Sequence, residues 1–526
     1  MAKTTAWQPF LPFLKMSRLT PILLFLALCF GAVAQNVEVA RFEVPLTTKS
    51  QQCGFVPLAQ QGVVAIAEGG LAAKGVKNWS FIVLDTNLVE QSSFSIPLES
   101  ALQLNSSTSS DEFALALFAT TKRSDSTLVN VVVYDREGGA FSTFSAALPP
   151  NITLLPAMSV SHTLMLAYNL NSGGSSILFY DVRTGKVLRE SWKDSNYLIQ
   201  DVEAHQNANS FVVTMKVFEE KRSVATNFLV FTSEGTMTRN HGYPNGNTTT
   251  IGRSRSVMGD DGSLEVFVTV ERIGGTKVSA KNFADSFNKE SVGIGWISFS
   301  GIATKSKIYL FRDIPDIDKA LTPSSRLRVK QRQAQLNDTA NKRVEIAFQF
   351  LKPNLLVHND TNIVALEAFV PIYHTETRME FGYYGSIPNT YTVFDGYDFY
   401  SQIVFAFNGE GVLLWHNYVG YDSPLDESLY RHTSEAVCND EVILVSSSLN
   451  ELTYSVMDAN GKTLLDSESA ALPLMRRNDM LDSEYNSNIR LWYDNNFIVF
   501  GRQMLKNRMM RKSDRLVFFL QKTQYE

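Results

Sequence analysis

From about residue 60 onward, short apolar runs alternate with polar turns, and the runs return at a near-constant spacing. One set reads Phe81-Ile-Val-Leu-Asp85, Val131-Val-Val-Tyr-Asp135, Ile177-Leu-Phe-Tyr-Asp181 and Phe228-Leu-Val-Phe-Thr232. It continues with Gly295-Trp-Ile-Ser-Phe299, Ile403-Val-Phe-Ala-Phe407, Tyr454-Ser-Val-Met-Asp458 and Leu516-Val-Phe-Phe-Leu520. Successive copies start roughly 46 to 51 residues apart where nothing is inserted. A second apolar run precedes each copy, as in Val63-Val-Ala-Ile-Ala67, Phe113-Ala-Leu-Ala-Leu117 and Phe497-Ile-Val-Phe500. Runs this short and continuous predict strands covered on both faces, and a period of this size predicts stacked repeat units.

Turn residues follow most copies, as in Arg183-Thr-Gly-Lys186, Ser233-Glu-Gly235 and Asn408-Gly-Glu-Gly411. Asp85, Asp135, Asp181 and Asp458 recur at this point, where an aspartate caps its own backbone. The stretch from Ser455 to Leu465 contains Gly461-Lys-Thr463, the ending of a phosphate-binding loop. The second glycine that such a loop needs is missing, because Val456 stands there, and no helical stripe follows. Asn460-Gly461 instead predicts a turn between two strands. A third strand closes each unit, and two closings nearly repeat: Ser145-Ala-Ala-Leu-Pro-Pro150 and Ser469-Ala-Ala-Leu-Pro-Leu474.

Four strands per unit at this period resemble the blades of a β-propeller, loosely like WD-repeat or quinoprotein-like propellers. The resemblance is one of architecture. The Gly-His and Trp-Asp pairs of WD repeats are absent, as are the tryptophan docking motifs and adjacent cysteine pair of quinoprotein dehydrogenases. The fold class is therefore all-β, a propeller of eight four-stranded blades, with seven as the alternative if an irregular unit near 250–410 is not a blade. The last blade, from about Asn486 to Thr523, lacks an outer strand. Val39 to Leu46 matches Ser92 to Leu98, the closing strand of the first blade, and is expected to fill that place and close the ring.

Composition adds compartment and excludes some partners. Residues 1–34 carry Lys3, Lys15 and Arg18, an apolar run from Ile22 to Phe30 and the exit Gly31-Ala-Val-Ala34, the marks of a cleaved signal peptide. Residues 35–526 form the single predicted propeller domain. No other apolar run is long enough to span a membrane, so the protein is expected to be secreted, periplasmic or attached to the cell surface, and monomeric. A net charge of −5 argues against a nucleic-acid partner. Only Cys53 and Cys438 follow the signal segment. As equivalent positions two blades apart, they are expected to stay unbridged.

Three insertions break the period, near 271–291, 313–343 and 374–400, and function is expected on such segments. The first two read as polar connections, the second with a short exposed helix or excursion. The third holds eight aromatics within residues 381–400: Phe381, Tyr383, Tyr384, Tyr391, Phe394, Tyr397, Phe399 and Tyr400. Gly382, Gly385, Pro388 and Gly396 argue for a loop there. Either it presents the rings to a protein or carbohydrate partner, or it folds over and buries them. No catalytic constellation stands out. The seven histidines show no ligand spacing, there is no Gly-x-Ser-x-Gly elbow, and Asp260-Asp261-Gly262 lacks the other ligands of a calcium loop. No metal or cofactor is expected. Lys506, Arg508, Arg511, Lys512 and Arg515 read as a basic hairpin tip. The expected function is a binding or scaffolding module that uses loops on one face of the propeller. The alternative is a glycan- or peptide-processing enzyme with its site at the central channel mouth.

Overall fold

A computed structural model describes residues 40–525 apart from 121–124, 195, 220–221, 247, 273–288, 336–342, 383–384, 422, 424 and 509–513. The proposed signal segment lies outside the described residues. Among the described residues the strands form eight antiparallel sheets. In chain order, blade 1 spans 53–99, blade 2 102–148, blade 3 152–192 and blade 4 197–244. Blade 5 spans 249–310, blade 6 349–420, blade 7 433–471 and blade 8 479–524. The protein is a β-propeller.

Each blade runs from an inner strand to an outer one, and the inner strands of neighbouring blades touch. The repeat first visible as a spacing returns as hydrogen bonds between those strands. The Leu104 amide donates to Gln52 Oε1 across 52 residues of chain, the Ala157 amide to Ser106 Oγ across 51, and Gln200 Nε2 to the Gly252 carbonyl across 52. The second and third strands supply the apolar layers. Ile66, Trp79, Phe81, Ala116 and Phe118 pack blade 1 on blade 2, and comparable clusters fill the other junctions. A continuous apolar run stays dry on both faces because another blade covers each.

The turn between third and outer strands is set by its polar residues. Asp458 Oδ1 accepts the amides of Asn460 and Lys462, and Asp85, Asp135 and Asp181 cap their own turns in the same way. Gly461 follows with φ 76°, and a Cβ there would lie 2.4 Å from the Trp415 ring of blade 6. Gly411 repeats this one blade earlier, with φ 70° against the ring of Trp296. The glycine thus meets two demands, a left-handed backbone and close approach to the preceding blade. Only Gly461 of the Asn-Gly pair has positive φ.

The ends of the chain share blade 8. Arg41–Leu46 pairs with Arg515–Gln524, Arg41 opposite Gln521 and Leu46 opposite Leu516. Arg41 is buried and donates to Gln521, Gln503 and Glu43. Blade 8 begins at Asp479, earlier than the expected Asn486, because Asp479 to Tyr485 continue the ladder, across bulges at Leu481/Ser483 and Tyr485/Asn488, along Arg502 to Asn507 of the next strand. Cys53 and Cys438 occupy inner strands of blades 1 and 7, half-buried and unbridged, with blade 8 between them.

Two insertions differ from their expectation. Part of the segment 313–343 is an exposed helix, Pro323–Gln335, with no buried residue. The segment before it is only partly solvated: Phe311, Ile314, Ile317, Ala320 and Leu321 join Phe348 and Phe350 in the core between blades 5 and 6, while Asp313 and Asp316 face water. Most of 271–291 lies outside the described residues. The third insertion is no loop. Thr361–Gly382 and Gly385–Asn408 are paired strands of 22 and 24 residues, and they run beyond the sheet as a two-stranded arm. Gly382 and Gly385 bracket the tip, and Gly396 takes φ 144° at the root. Pro388 is tolerated because both sides of a two-stranded ribbon are open edges.

Candidate functional site

The arm leaves blade 6 near Pro371, paired with Tyr397, where the flanking strands end. Its register sorts the side chains onto two unlike faces. Tyr373, Thr375, Thr377, Met379 and Phe381 lie opposite Phe394, Thr392, Thr390, Pro388 and Ser386. This face carries no charge. The other face carries His374, Glu376, Arg378 and Glu380, opposite Val393, Tyr391, Asn389 and Ile387. There Arg378 pairs with Glu376 at 2.7 Å, Glu380 accepts from Asn389 and Tyr391, and His374 lies between Asp395 and Glu376. Hydrogen bonds to Asp395 and Glu376 raise the affinity of His374 for its proton. β-Branched threonines suit the strand conformation and make up much of the uncharged face.

The eight predicted aromatics divide along the arm. Phe381 is 91% exposed, and Tyr391 and Phe394 are exposed as well. Tyr397 and Tyr400 are half-buried, and burial pushes the Tyr400 hydroxyl well above its ordinary range. Phe399 is fully buried against Phe369 and Leu351 at the root. Tyr383 and Tyr384 lie outside the described residues. The segment therefore neither buries all its rings nor presents them all.

A second site lies on the propeller axis. Inner strands are bulged or interrupted near Asn105, Leu155–Ala157, Gln200, Gly252, Leu351–Pro353 and Asn486. Bulges redirect side chains, and around this girdle they help shape a cavity of about 1130 Å³. Its wall carries Arg253, Arg255, Lys352, Arg431 and Arg490, with no aspartate or glutamate among the lining residues. Leu355, Leu356, Leu491 and Phe500 supply apolar surface, and Tyr397 and Tyr430 line it too. Carboxylates stand behind part of the wall. Lys352 pairs with Asp201 at 2.6 Å and Glu203 at 3.3 Å, and Arg431 with Glu435 at 3.0 Å.

No protein family matches the chain, and no curated protein matches it either. Similar solved structures include the β-propeller domain of the trilobed protease from Pyrococcus furiosus. That match has 9% identity and a TM-score of 0.36, over 79% of this chain and 98% of that one. A prolyl endopeptidase aligns at 9% identity and TM-score 0.38, over 80% of this chain and half of its own length. A mutant of Synechocystis apocarotenoid oxygenase aligns at 9% identity and TM-score 0.29, over 48% and 60% of the two chains. Likenesses this distant say nothing about what the chain does.

Near the cavity, Ser256, His205 and Glu203 have the residue types of a hydrolytic triad but not its proton order. Ser256 Oγ lies 2.8 Å from His205 Nε2 and 2.8 Å from Glu203 Oε2. Burial works against the Glu203 charge, yet Lys352, Arg255 and His205 hold its carboxyl below the usual range. The serine hydroxyl therefore donates to Glu203, and the neutral imidazole donates to Ser256. The histidine does not stand as the base between serine and carboxylate that a triad requires. Among the described residues, no group of three His, Cys, Asp or Glu side chains is placed to share a metal ion.

The basic hairpin at the end of the chain is partly neutralised. Arg515 pairs with Glu43 and Asp479, and Lys506 with Asp482, while Arg511 and Lys512 lie outside the described residues. The cavity cations escaped sequence reading because they are scattered over more than two hundred residues. One signal was present: Arg253-Ser-Arg255 alternates in the inner-strand slot of its repeat, the strand that faces the channel.

Proposed function

We propose that the chain is an exported binding module that docks a protein partner through the arm of blade 6. One observation carries this reading. The arm presents a ribbon face made of Tyr373, Met379, Phe381, Pro388, Phe394 and threonines, without a single charge, while charged groups occupy the opposite face. A two-stranded ribbon is marginal in water when nothing covers it. Aromatic and methionine side chains are enriched at protein interfaces, and the open ribbon edges offer backbone groups to an added strand. The basic and apolar run of residues 1–34 supports export. A glycan- or peptide-processing site with a pair of carboxylates finds no support in the cavity wall, whose charged lining residues are cationic.

The test compares the mature protein with a Phe381→Ala/Met379→Ser/Phe394→Ser variant as bait against the exported proteins of its source. The reading expects a partner held by the first and lost by the second. That partner, once purified, should bind the variant at least tenfold more weakly at an unchanged melting temperature. Capture of the same proteins by both baits, or of none by either, refutes it.

A further inference from the structure

The axial cavity meets the arm at its root, where Tyr397 lines the wall, and two of its cations, Arg255 and Arg490, have no carboxylate at ion-pair distance among the described residues. Lys352 and Arg431 have carboxylates at ion-pair distance. Arg490 has none among the described residues: its guanidinium stands 5.8 Å above the Phe55 ring, and Arg431 is the neighbouring charge that acts on it. Arg255 makes no ion pair among the described residues, and the carboxylate it acts on, Glu203, is already engaged by Lys352. Arg490 is open to solvent with Arg431 as its neighbouring like charge, and its guanidinium stays charged throughout the physiological range.

Like charges gathered around one space repel each other. Here three separate blades place guanidinium groups there: Arg255 from blade 5, half-buried and without an ion pair among the described residues, Arg490 from blade 8, open to solvent and likewise without one, and Arg431 from the entry to blade 7, already paired with Glu435. The whole chain carries −5, so the cationic lining runs against the overall balance. A second cavity of about 260 Å³ shares Tyr430, Asn488, Arg490 and Phe500 with the first and adds Arg502. Arg490 therefore stands where the two meet. Such a wall focuses the positive potential inward and concentrates anions there. Guanidinium groups approaching from several sides suit planar or tetrahedral oxyanions, and the leucines and Phe500 suit an apolar or ring-bearing body.

We infer that the axial cavity is a binding site for a small molecule or oligomer carrying two or more carboxylate or phosphoryl groups, held by Arg255, Arg431 and Arg490. The site needs no partner on the arm. The guanidinium groups themselves stay charged between about pH 6 and 9.

The experiment is calorimetric titration of the full mature chain with pyrophosphate and with citrate at about 50 mM salt, with melting temperature followed in parallel. Arg490→Gln and Arg255→Gln are compared with Lys186→Gln, which removes an exposed turn charge. The expected result is saturable binding of at least one probe and a raised melting temperature. Arg490→Gln and Arg255→Gln should each weaken binding about tenfold or more, and Lys186→Gln should leave it unchanged. Both variants should melt no lower than the parent without ligand, since each removes an unpaired charge. Binding of pyrophosphate alone or citrate alone assigns the site to phosphoryl or carboxylate ligands. Absence of heat and of any melting shift with both probes overturns the inference, as does equal weakening by Lys186→Gln.

Discussion

The arm and the axial cavity are built in opposite ways from the same chain. The arm is one continuous segment whose surface is uncharged and open, and it stands outside every apolar junction of the ring. The cavity is assembled from inner strands of several blades, its wall is cationic, and it exists only while those blades are held in a circle. Changes in the arm should therefore alter contacts without altering stability. The cavity should depend first on ring closure and then on individual charges.

The largest expected effect comes from opening the ring. Removing Arg41–Leu46 strips the outer strand from blade 8, uncovers Val517 and Phe519, and leaves Gln503 and Gln521 without the Arg41 guanidinium. A loss of several kcal/mol is expected, since each buried apolar side chain contributes roughly 1.5–3 kcal/mol. Denaturant unfolding measures it, and any anion response of the cavity should vanish with the closure. A chain that keeps its stability and its anion response would break the contrast.

Next comes the difference between the root and the tip of the arm. Phe399→Ala empties a fully buried position and should cost about 3–5 kcal/mol. Phe381→Ala, 18 residues earlier and 91% exposed, should change stability by no more than about 0.5 kcal/mol. Comparable losses from the two would mean that the arm packs against the ring.

A smaller, pH-dependent effect belongs to Glu367, buried just below the point where the arm departs. Burial pushes its carboxyl up to about 7, against the pull of Arg431, the Tyr421 hydroxyl and the His432 amide. The folded-state value exceeds the unfolded one, so the protonated carboxyl is the form that the fold prefers. Its stabilisation is complete below about pH 4 and is lost as pH rises through 7, on the order of 3 kcal/mol in all. Glu367→Gln should flatten the stability profile across that window. An unchanged slope would place the titration elsewhere.

Much of this was readable before the structure. The spacing of Phe81, Val131, Ile177 and their counterparts gave the blades, and the match of Val39–Leu46 to Ser92–Leu98 gave the closure. Those signals are local and repeated. Gly382, Gly385, Pro388 and Gly396 point to a loop, but they fall at a tip, an open edge and a root, where a paired ribbon tolerates them. The alternation in Tyr373-His-Thr-Glu-Thr-Arg-Met-Glu-Phe381 is a strand pattern with one charged and one uncharged face, and it was there to be read. The cavity is another matter. Arg255, Arg431 and Arg490 meet only because the circle returns to its start, and no local pattern encodes that meeting.

Separability of arm and ring is tested most directly by replacing residues 373–395 with Asn-Gly, which joins Ile372 to Gly396 by a tight turn. The structure predicts a melting temperature within a few degrees of the parent. It also predicts an unchanged response to pyrophosphate or citrate, together with loss of partner binding. A chain that melts far lower, or that loses the anion response along with the arm, would contradict the separation.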